Sequence, residues 1–294
     1  MPRFLEGEPL LYNGWIWIVK GIQHPDEYVI AYPRYCIECV PPRKLFRMEA
    51  LRKIKNYRWD CIGLELPVIP KKDVKLFAIK PRDKVMEFME LIIDLSGIDY
   101  DDVLLTGSLL IGYDPIYSDI DLVFYGENIV DRVYDILRYL RESGVTSSLG
   151  PSGLLIEYDK HRDLSLDQYF MLRKDSLLQG YYMKKYRYTI RLVPYDRGYS
   201  GCIDRVAWSD YKDLTIKVIE PIKPYTTPAL YKVKIIDSPL DNDIAYMVSF
   251  RIRYTELCTG ALLHGVFRIE KHVKDENYYI IPDHSSVKIL GYTP

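Results

Sequence analysis

Thr106-Gly107-Ser108-Leu109-Leu110-Ile111-Gly112-Tyr113-Asp114-Pro115-Ile116-Tyr117-Ser118-Asp119-Ile120-Asp121-Leu122-Val123-Phe124 is the stretch on which the reading of this chain turns. In an extended strand, alternate side chains share a face. Asp119 and Asp121 therefore point one way, while Ile120 and Leu122 point into a core. Two neighbouring carboxylates repel one another unless positive charge lies between them. A hard divalent cation, Mg2+ or Mn2+, suits such oxygen ligands. Gly107 and Ser108 directly follow a short apolar run, Val103 to Thr106. A glycine there lets the backbone approach a ligand, and backbone N–H groups with a serine hydroxyl can hold a phosphate. Phosphate beside a metal on two aspartates is the core of a nucleotidyl-transfer site.

The elements around this stretch read as alternating helices and strands. Val85, Phe88, Met89 and Ile92 recur at helical spacing over 83–95, with Asp83 placed to cap the start. Ile120 to Phe124 is a strand. Ile129, Val130, Val133, Ile136, Leu137 and Leu140 form one helical stripe that ends before Gly144. A strand is expected over Leu154 to Tyr158, a helix over 165–178 and a strand over Tyr188 to Val193. This pattern predicts a sheet with helices packed on it.

Upstream, Trp15-Ile16-Trp17-Ile18-Val19 and Tyr28-Val29-Ile30-Ala31-Tyr32 read as strands, and His24-Pro25-Asp26 as a turn between them. Downstream of Asp204, short alternating apolar runs with prolines between the early ones, Pro239 among them, predict an all-β appendage, a small barrel. The expected fold class is α+β. A central nucleotidyltransferase-type mixed sheet with helices (79–203) is flanked by an N-terminal β-rich part (1–78) and a C-terminal all-β domain (204–294).

Gly-Ser, a spacer of ten residues and Asp-Ile-Asp-Leu resemble the signature of the DNA polymerase β-like nucleotidyltransferase superfamily. Gly112 and Ser118 match the small residues often found within that signature, and with its flanking elements the resemblance spans about 83–195. It implies that Gly107 and Ser108 contact a nucleoside triphosphate and that Asp119 and Asp121 hold metal ions. It also implies a third carboxylate on a neighbouring strand. The strand Tyr188 to Pro194 carries Arg191 at the matching place. Arg191 is read as a triphosphate contact or as a salt bridge that replaces a metal. Glu157 is the alternative third acid. The whole chain also resembles a group of archaeal proteins known as predicted nucleotidyltransferases, through Gly21 to Pro25, Ala31 to Tyr35 and Gln179 to Val193. If that likeness holds, Arg191 is a feature of the group. The likeness brings no substrate.

Relatives often carry a basic residue in the Gly-Ser loop, and Leu109 to Ser118 has none. The charge would come from the segment Arg173 to Arg205. It holds Arg173, Lys174, Lys184, Lys185, Arg187, Arg191, Arg197 and Arg205, interleaved with Tyr181, Tyr182, Tyr186, Tyr188 and Tyr195. Cations among aromatics suit single-stranded nucleic acid. A solvated helix followed by a Tyr-rich strand is the plainer reading. The earlier run Arg43, Lys44, Arg47, Arg52, Lys53, Lys55 and Arg58, against Glu49, reads as a solvated helical face.

Composition sets the outer limits. The chain has 294 residues, 48% of them hydrophobic and 28% charged, enough for a sizeable core. Forty basic residues offset 41 acidic ones, a net charge of −1, which excludes a globally basic chain of the histone kind. No run approaches the about 18 apolar residues of a membrane span, and MPRFLEGEPL lacks a signal-peptide layout, so a cytoplasmic location without membrane contact is expected. Five cysteines predict reduced, mostly buried thiols rather than a disulfide framework. Twenty-seven tyrosines against three glutamines point to a thermophile. His24 reads as a turn residue and His161 as part of a solvated charged loop. His264, His272 and His284 are too scattered for a metal site. Trp15, Trp17, Trp59 and Trp208 read as core or interface.

Two functions follow. The first is an Mg2+-dependent enzyme that moves a nucleoside monophosphate from an NTP to a hydroxyl on RNA, a protein or a small molecule. The second keeps the fold and binds nucleotide or nucleic acid without turnover.

Overall fold

Alternating aromatic and β-branched residues make the N-terminal part a twisted sheet. Its strands are β1 (Pro9–Tyr12), β2 (Trp15–Val19), β3 (Gln23–His24), β4 (Tyr28–Cys36) and β5 (Arg43–Lys44). After helix α1 (Arg47–Lys53) come β6 (Asn56–Trp59), β7 (Leu64–Pro70) and β8 (Lys75–Leu76). They pair in the order β6-β7-β4-β2-β1-β8, with β5 on β4. Pro33 lies inside β4, where the β2 register slips between Ile16 and Trp17. A proline has no N–H to give a ladder, so it sits at an irregularity. Leu10, Trp17, Val29, Ala31 and Ile69 form the core of this sheet. The computed structural model describes residues 2–81, 83–159, 164–236, 242–283 and 287–291.

The α/β part follows the sequence reading closely at first. Helix α2 (Asp83–Ser96), strand β9 (Val103–Thr106), strand β10 (Ile120–Tyr125) and helix α3 (Glu127–Glu142) come in that order, then β11 (Thr146–Ser147). Two helices come next, α4 (Gly150–Tyr158) and α5 (Leu166–Arg173), before β12 (Gln179–Tyr182), β13 (Tyr186–Val193) and β14 (Tyr199–Ser200). The sheet runs β11-β12-β13-β10-β9. β10 is antiparallel to β9 and parallel to β13. Ile120, Leu122 and Phe124 are fully buried on the face toward α3.

One expectation is overturned here. Leu154 to Tyr158 is not a strand but the last part of α4, which Pro151 opens in its first turn. A short apolar run such as Leu154-Leu155-Ile156 fits a buried strand and a helix face equally well.

The chain divides into two compact units: Met1–Ser147 with Leu178–Ile203, and Ser148–Leu177 with Asp204–Pro294. The second contains α4, α5 and six strands. These are β15 (Val206–Lys223), β16 (Ala229–Ile236), β17 (Ile244–Ser249), β18 (Leu262–His272), β19 (Tyr278–Ile281) and β20 (Val287–Gly291). Pairings β15-β16-β17-β19-β18-β15 close a ring of five strands, and β20 extends along β18. The 18 residues of β15 reach both neighbours because its register shifts twice, around Glu220 and Pro221. Such bulges bend a strand enough to turn a barrel corner. In this unit Arg173 is buried, with its guanidinium on Glu256 at 3.3 Å and on Thr255 Oγ1 at 3.0 Å. It is therefore not the solvated, phosphate-tracking cation expected from the sequence. The architecture is α+β with several sheets, strands predominating. Among the described residues no helix is long and apolar enough to cross a membrane. His161, Pro239 and His284 lie outside the described residues.

The cysteine expectation is also corrected. Cys36 bonds Cys39, and Cys61 bonds Cys202 across 141 residues; Cys258 is a free thiol. Closing a loop of that length restrains the unfolded chain by on the order of 5 kcal/mol in the loop-entropy account. Replacing Cys61 with Ser should lower the unfolding midpoint of the oxidised protein markedly. Dithiothreitol should move the wild type the same way and leave the variant's Cys61-dependent loss unchanged. Thermal melts followed by circular dichroism read both.

His24 is fully buried. Its Nε2 donates to the Phe4 carbonyl at 2.7 Å, and its Nδ1 accepts from the Ile30 amide at 3.2 Å. Both contacts require the neutral ring, and burial pushes its pKa down from 6.5 to about 4. The unfolded chain therefore binds a proton that the folded one refuses. The contribution is complete above the unfolded value and is lost as pH falls from 6.5 toward about 4, roughly 3 kcal/mol across that window. Denaturant melts as a function of pH should show this loss, and His24→Gln should flatten it.

Candidate functional site

The site is assembled at one end of the β9-β10-β13 sheet. β9 ends at Thr106, and the chain turns through Gly107 at φ +78 into a 3-10 turn, Gly107–Ile111, that ends at Gly112. Leu109 and Leu110 are buried and anchor the turn; Leu110 packs with Ile16 and Tyr35 of the N-terminal sheet. A Cβ at position 107 would lie 2.0 Å from Asp121 Oδ2 and 2.8 Å from its Cγ. The bend and the second aspartate are thus in direct contact. Ser108 Oγ is hydrogen-bonded to Ser118 Oγ, the residue before Asp119.

Parallel pairing sets the other side of the site. Ile120 lies opposite Tyr188, Asp121 opposite Thr189 and Val123 opposite Arg191. Continued by one residue, this register places Arg187 beside Asp119, and Arg187 Nη2 lies 2.7 Å from Asp119 Oδ1. Asp119 and Ser118 are each 8% exposed, whereas Asp121 is half-buried. Ion pairing by a well-placed guanidinium relieves the repulsion between adjacent carboxylates, as a metal would. The sequence reading gave that place to Arg191. In the structure Arg191 is two residues further along β13, and its Cδ lies 4.0 Å from where a Gly7 Cβ would be.

The shared face beyond Asp121 is closed by the chain's first residues. Leu5 joins Val123, Tyr125 and Val193 in one apolar cluster. A Gly7 Cβ would meet Val123 Cγ2 at 3.1 Å, Thr106 Oγ1 donates to the Gly7 carbonyl at 3.3 Å, and Tyr125 Oη donates to the Glu6 carbonyl at 3.4 Å. Nothing in the sequence pattern of residues 4–8 signalled this cover. It leaves chemistry only at the Asp119–Asp121 end.

Lys184 and Lys185 form the exposed β12–β13 hairpin tip, with Met183 and Lys184 at positive φ. That tip immediately precedes Arg187, so it stands at the same end of the sheet. Tyr182 and Tyr188, counted in the sequence as stacking candidates, are buried instead. Tyr182 stacks on Phe88 at 4.6 Å and gives its hydroxyl to Glu87. Tyr188 Oη takes a bond from Arg141 at 3.1 Å. Glu157 sits in α4, 4% exposed, within the other compact unit. The ground for reading it as an acid on a neighbouring strand is therefore gone.

The chain matches no family model, no curated protein and no solved structure.

The donor set defines what the site can hold. Among the described residues no group of three or more His, Cys, Asp or Glu converges as a metal cage. The β13 positions alongside the aspartates are Arg187, Thr189 and Arg191, none of them acidic. Mg2+ is commonly bound by one or two carboxylates with waters and substrate phosphates completing its shell. Asp119 and Asp121 fit one such ion arriving with a triphosphate. They do not fit a second ion of equal ligation.

Gly107→Ala tests this geometry. Positive φ and the 2.0 Å approach both oppose a methyl group there. The variant should lose about 2 kcal/mol or more of stability in denaturant melts. Gly112→Ala, where a Cβ meets open space, should lose only the conformational part.

Proposed function

We propose that this chain is a nucleotidyltransferase of the DNA polymerase β-like type. It transfers a nucleoside monophosphate from an NTP to a hydroxyl acceptor on RNA, a protein or a small molecule. The observation that carries the reading is the contact of the Gly107 bend with the Asp121 carboxylate, with Ser108 tied to the residue before Asp119. The Gly-Ser to Asp-Ile-Asp resemblance supports it.

In this reading the backbone at Gly107 and the Ser108 hydroxyl hold the outer phosphates. Asp119 and Asp121 hold Mg2+ or Mn2+, which when bound supplies positive charge at the reacting phosphate. Arg187 turns from Asp119 to the triphosphate as the ion takes the carboxylate. Lys184 and Lys185 add long-range attraction for the polyanion from the hairpin tip. The resemblance gives no base preference.

A second reading rests on its own observation. The Arg187–Asp119 ion pair, with Thr189 opposite Asp121, leaves β13 without a carboxylate to take the proton of an attacking hydroxyl. A protein so built binds nucleotide without turnover.

Incubation with labelled NTPs, Mg2+ or Mn2+ and total RNA separates the two. Incorporation that falls to background in Asp119→Ala and Asp121→Ala supports the enzyme. Saturable nucleotide binding that weakens in Arg187→Ala, without incorporation by the wild type, supports the second reading. Neither binding nor incorporation would overturn both.

A further inference from the structure

The barrel of the second unit has a strand order that carries its own information. Counted within the barrel, its five strands close as 1-2-3-5-4-1, with the third and fifth (β17 and β19) parallel and all other pairs antiparallel. That is the arrangement of the oligonucleotide- and oligosaccharide-binding barrel, which uses the face of its second and third strands for ligands. A 3-10 turn, Ile252–Tyr254, occupies the connection between the third and fourth strands. Topology alone assigns no ligand; the side chains on that face do.

Tyr231, Val233 and Ile235 of β16 and Ala245 and Met247 of β17 point inward and are buried. The alternate residues, Lys232, Lys234 and Tyr246, therefore face outward. Lys232 lies opposite Tyr246, Lys234 opposite Ile244, and Lys217 of β15 opposite Lys234. Tyr246 lies opposite Tyr279 of β19, with ring centroids 5.9 Å apart and planes 29° apart. His272 continues the row, 4.7 Å from Tyr279. Three rings in sequence thus end beside lysines. The acids nearby have partners or are weakly held. Glu270 accepts from Arg268 at 2.8 Å, and Asp275 takes the Tyr279 hydroxyl. Asp243 reaches Lys234 at 3.3 Å with both half exposed, a pairing that a phosphate can displace. Glu220, exposed opposite Lys232, is the one acid on the lysine edge.

We propose that this face of the barrel binds single-stranded nucleic acid, with bases stacking on Tyr246 and Tyr279 and the backbone tracking Lys217, Lys232 and Lys234. Stacked rings accept any base, and cations in register along one edge follow a phosphate chain. Duplexes hide their base faces and so cannot use the rings. The proposal does not depend on nucleotidyl transfer.

Fluorescence anisotropy of labelled RNA and DNA strands of about 15 nucleotides, in EDTA and without NTP, tests it on the full chain. Tyr246→Ala should weaken binding by about tenfold or more, and Tyr246→Phe should retain most of it. Lys232→Ala and Lys234→Ala should each lower the slope of log affinity against log salt by about 0.7. These lysines are at the surface, so their variants report even if Tyr246→Ala unfolds, which circular dichroism would reveal. The two oligonucleotide arms show whether the 2′-hydroxyl is read. Absence of wild-type binding, preference for duplex, or binding that ignores all three substitutions would overturn the proposal. The last outcome would place the strand elsewhere, for instance on Lys184 to Arg187.

Discussion

A carboxylate resting on a bare Cα organises the candidate site. Asp121 can lie against position 107 only because glycine stands there, and the chain can turn there at positive φ for the same reason. Everything else at that end is arranged around the contact. Leu109 and Leu110 bury the turn, Ser108 reaches Ser118, and Asp119 takes a cation from the neighbouring strand. The protein supplies its own positive charge where two acids meet, so any metal that binds must compete with Arg187. That competition separates a transferase from a nucleotide binder built on the same frame.

Burial of charge recurs in the segment that closes the same sheet face. Glu6 and Glu8 are each 1% exposed. Glu6 is held by Lys20 at 2.8 Å and by the Gly21 amide at 2.7 Å. Glu8 accepts from the amides of Arg3 and Phe4, yet burial still pushes its pKa up. A buried carboxylate without such bonds would be costly. These contacts pin residues 3–8, and the pinned backbone places Leu5 and Gly7 over Val123. A local hydrogen-bond pattern in the first residues thereby limits how much of a distant sheet is open to ligand.

Several readings were available from the residues alone, and each failure has an identifiable cause. Strongly periodic segments such as 83–96 and 127–142 were legible because one apolar stripe admits one period. The five apolar-alternating runs after Asp204 were legible as a small barrel, but not its strand order, which depends on which edges meet. Leu154 to Tyr158 was misread because a short apolar run has no period, although Gly150-Pro151 offered a helix start. The cysteine pairs were missed because Cys61 and Cys202 become neighbours only through the fold. Tyr182 and Tyr188 looked like stacking residues until the sheet turned them inward.

By itself the sequence determined that Asp119 and Asp121 share a face and that a glycine–serine bend precedes them, because strand alternation and glycine's freedom are local properties. It did not determine which arginine meets the acids. Arg187 and Arg191 both lie on the right face of β13, and only the parallel register, in which Asp121 faces Thr189, puts Arg187 beside Asp119. Register is settled by the packing of whole elements, Ile120 and Leu122 against their helix and Val123 beneath Leu5. A shift of two residues would exchange the two arginines without changing a single local preference.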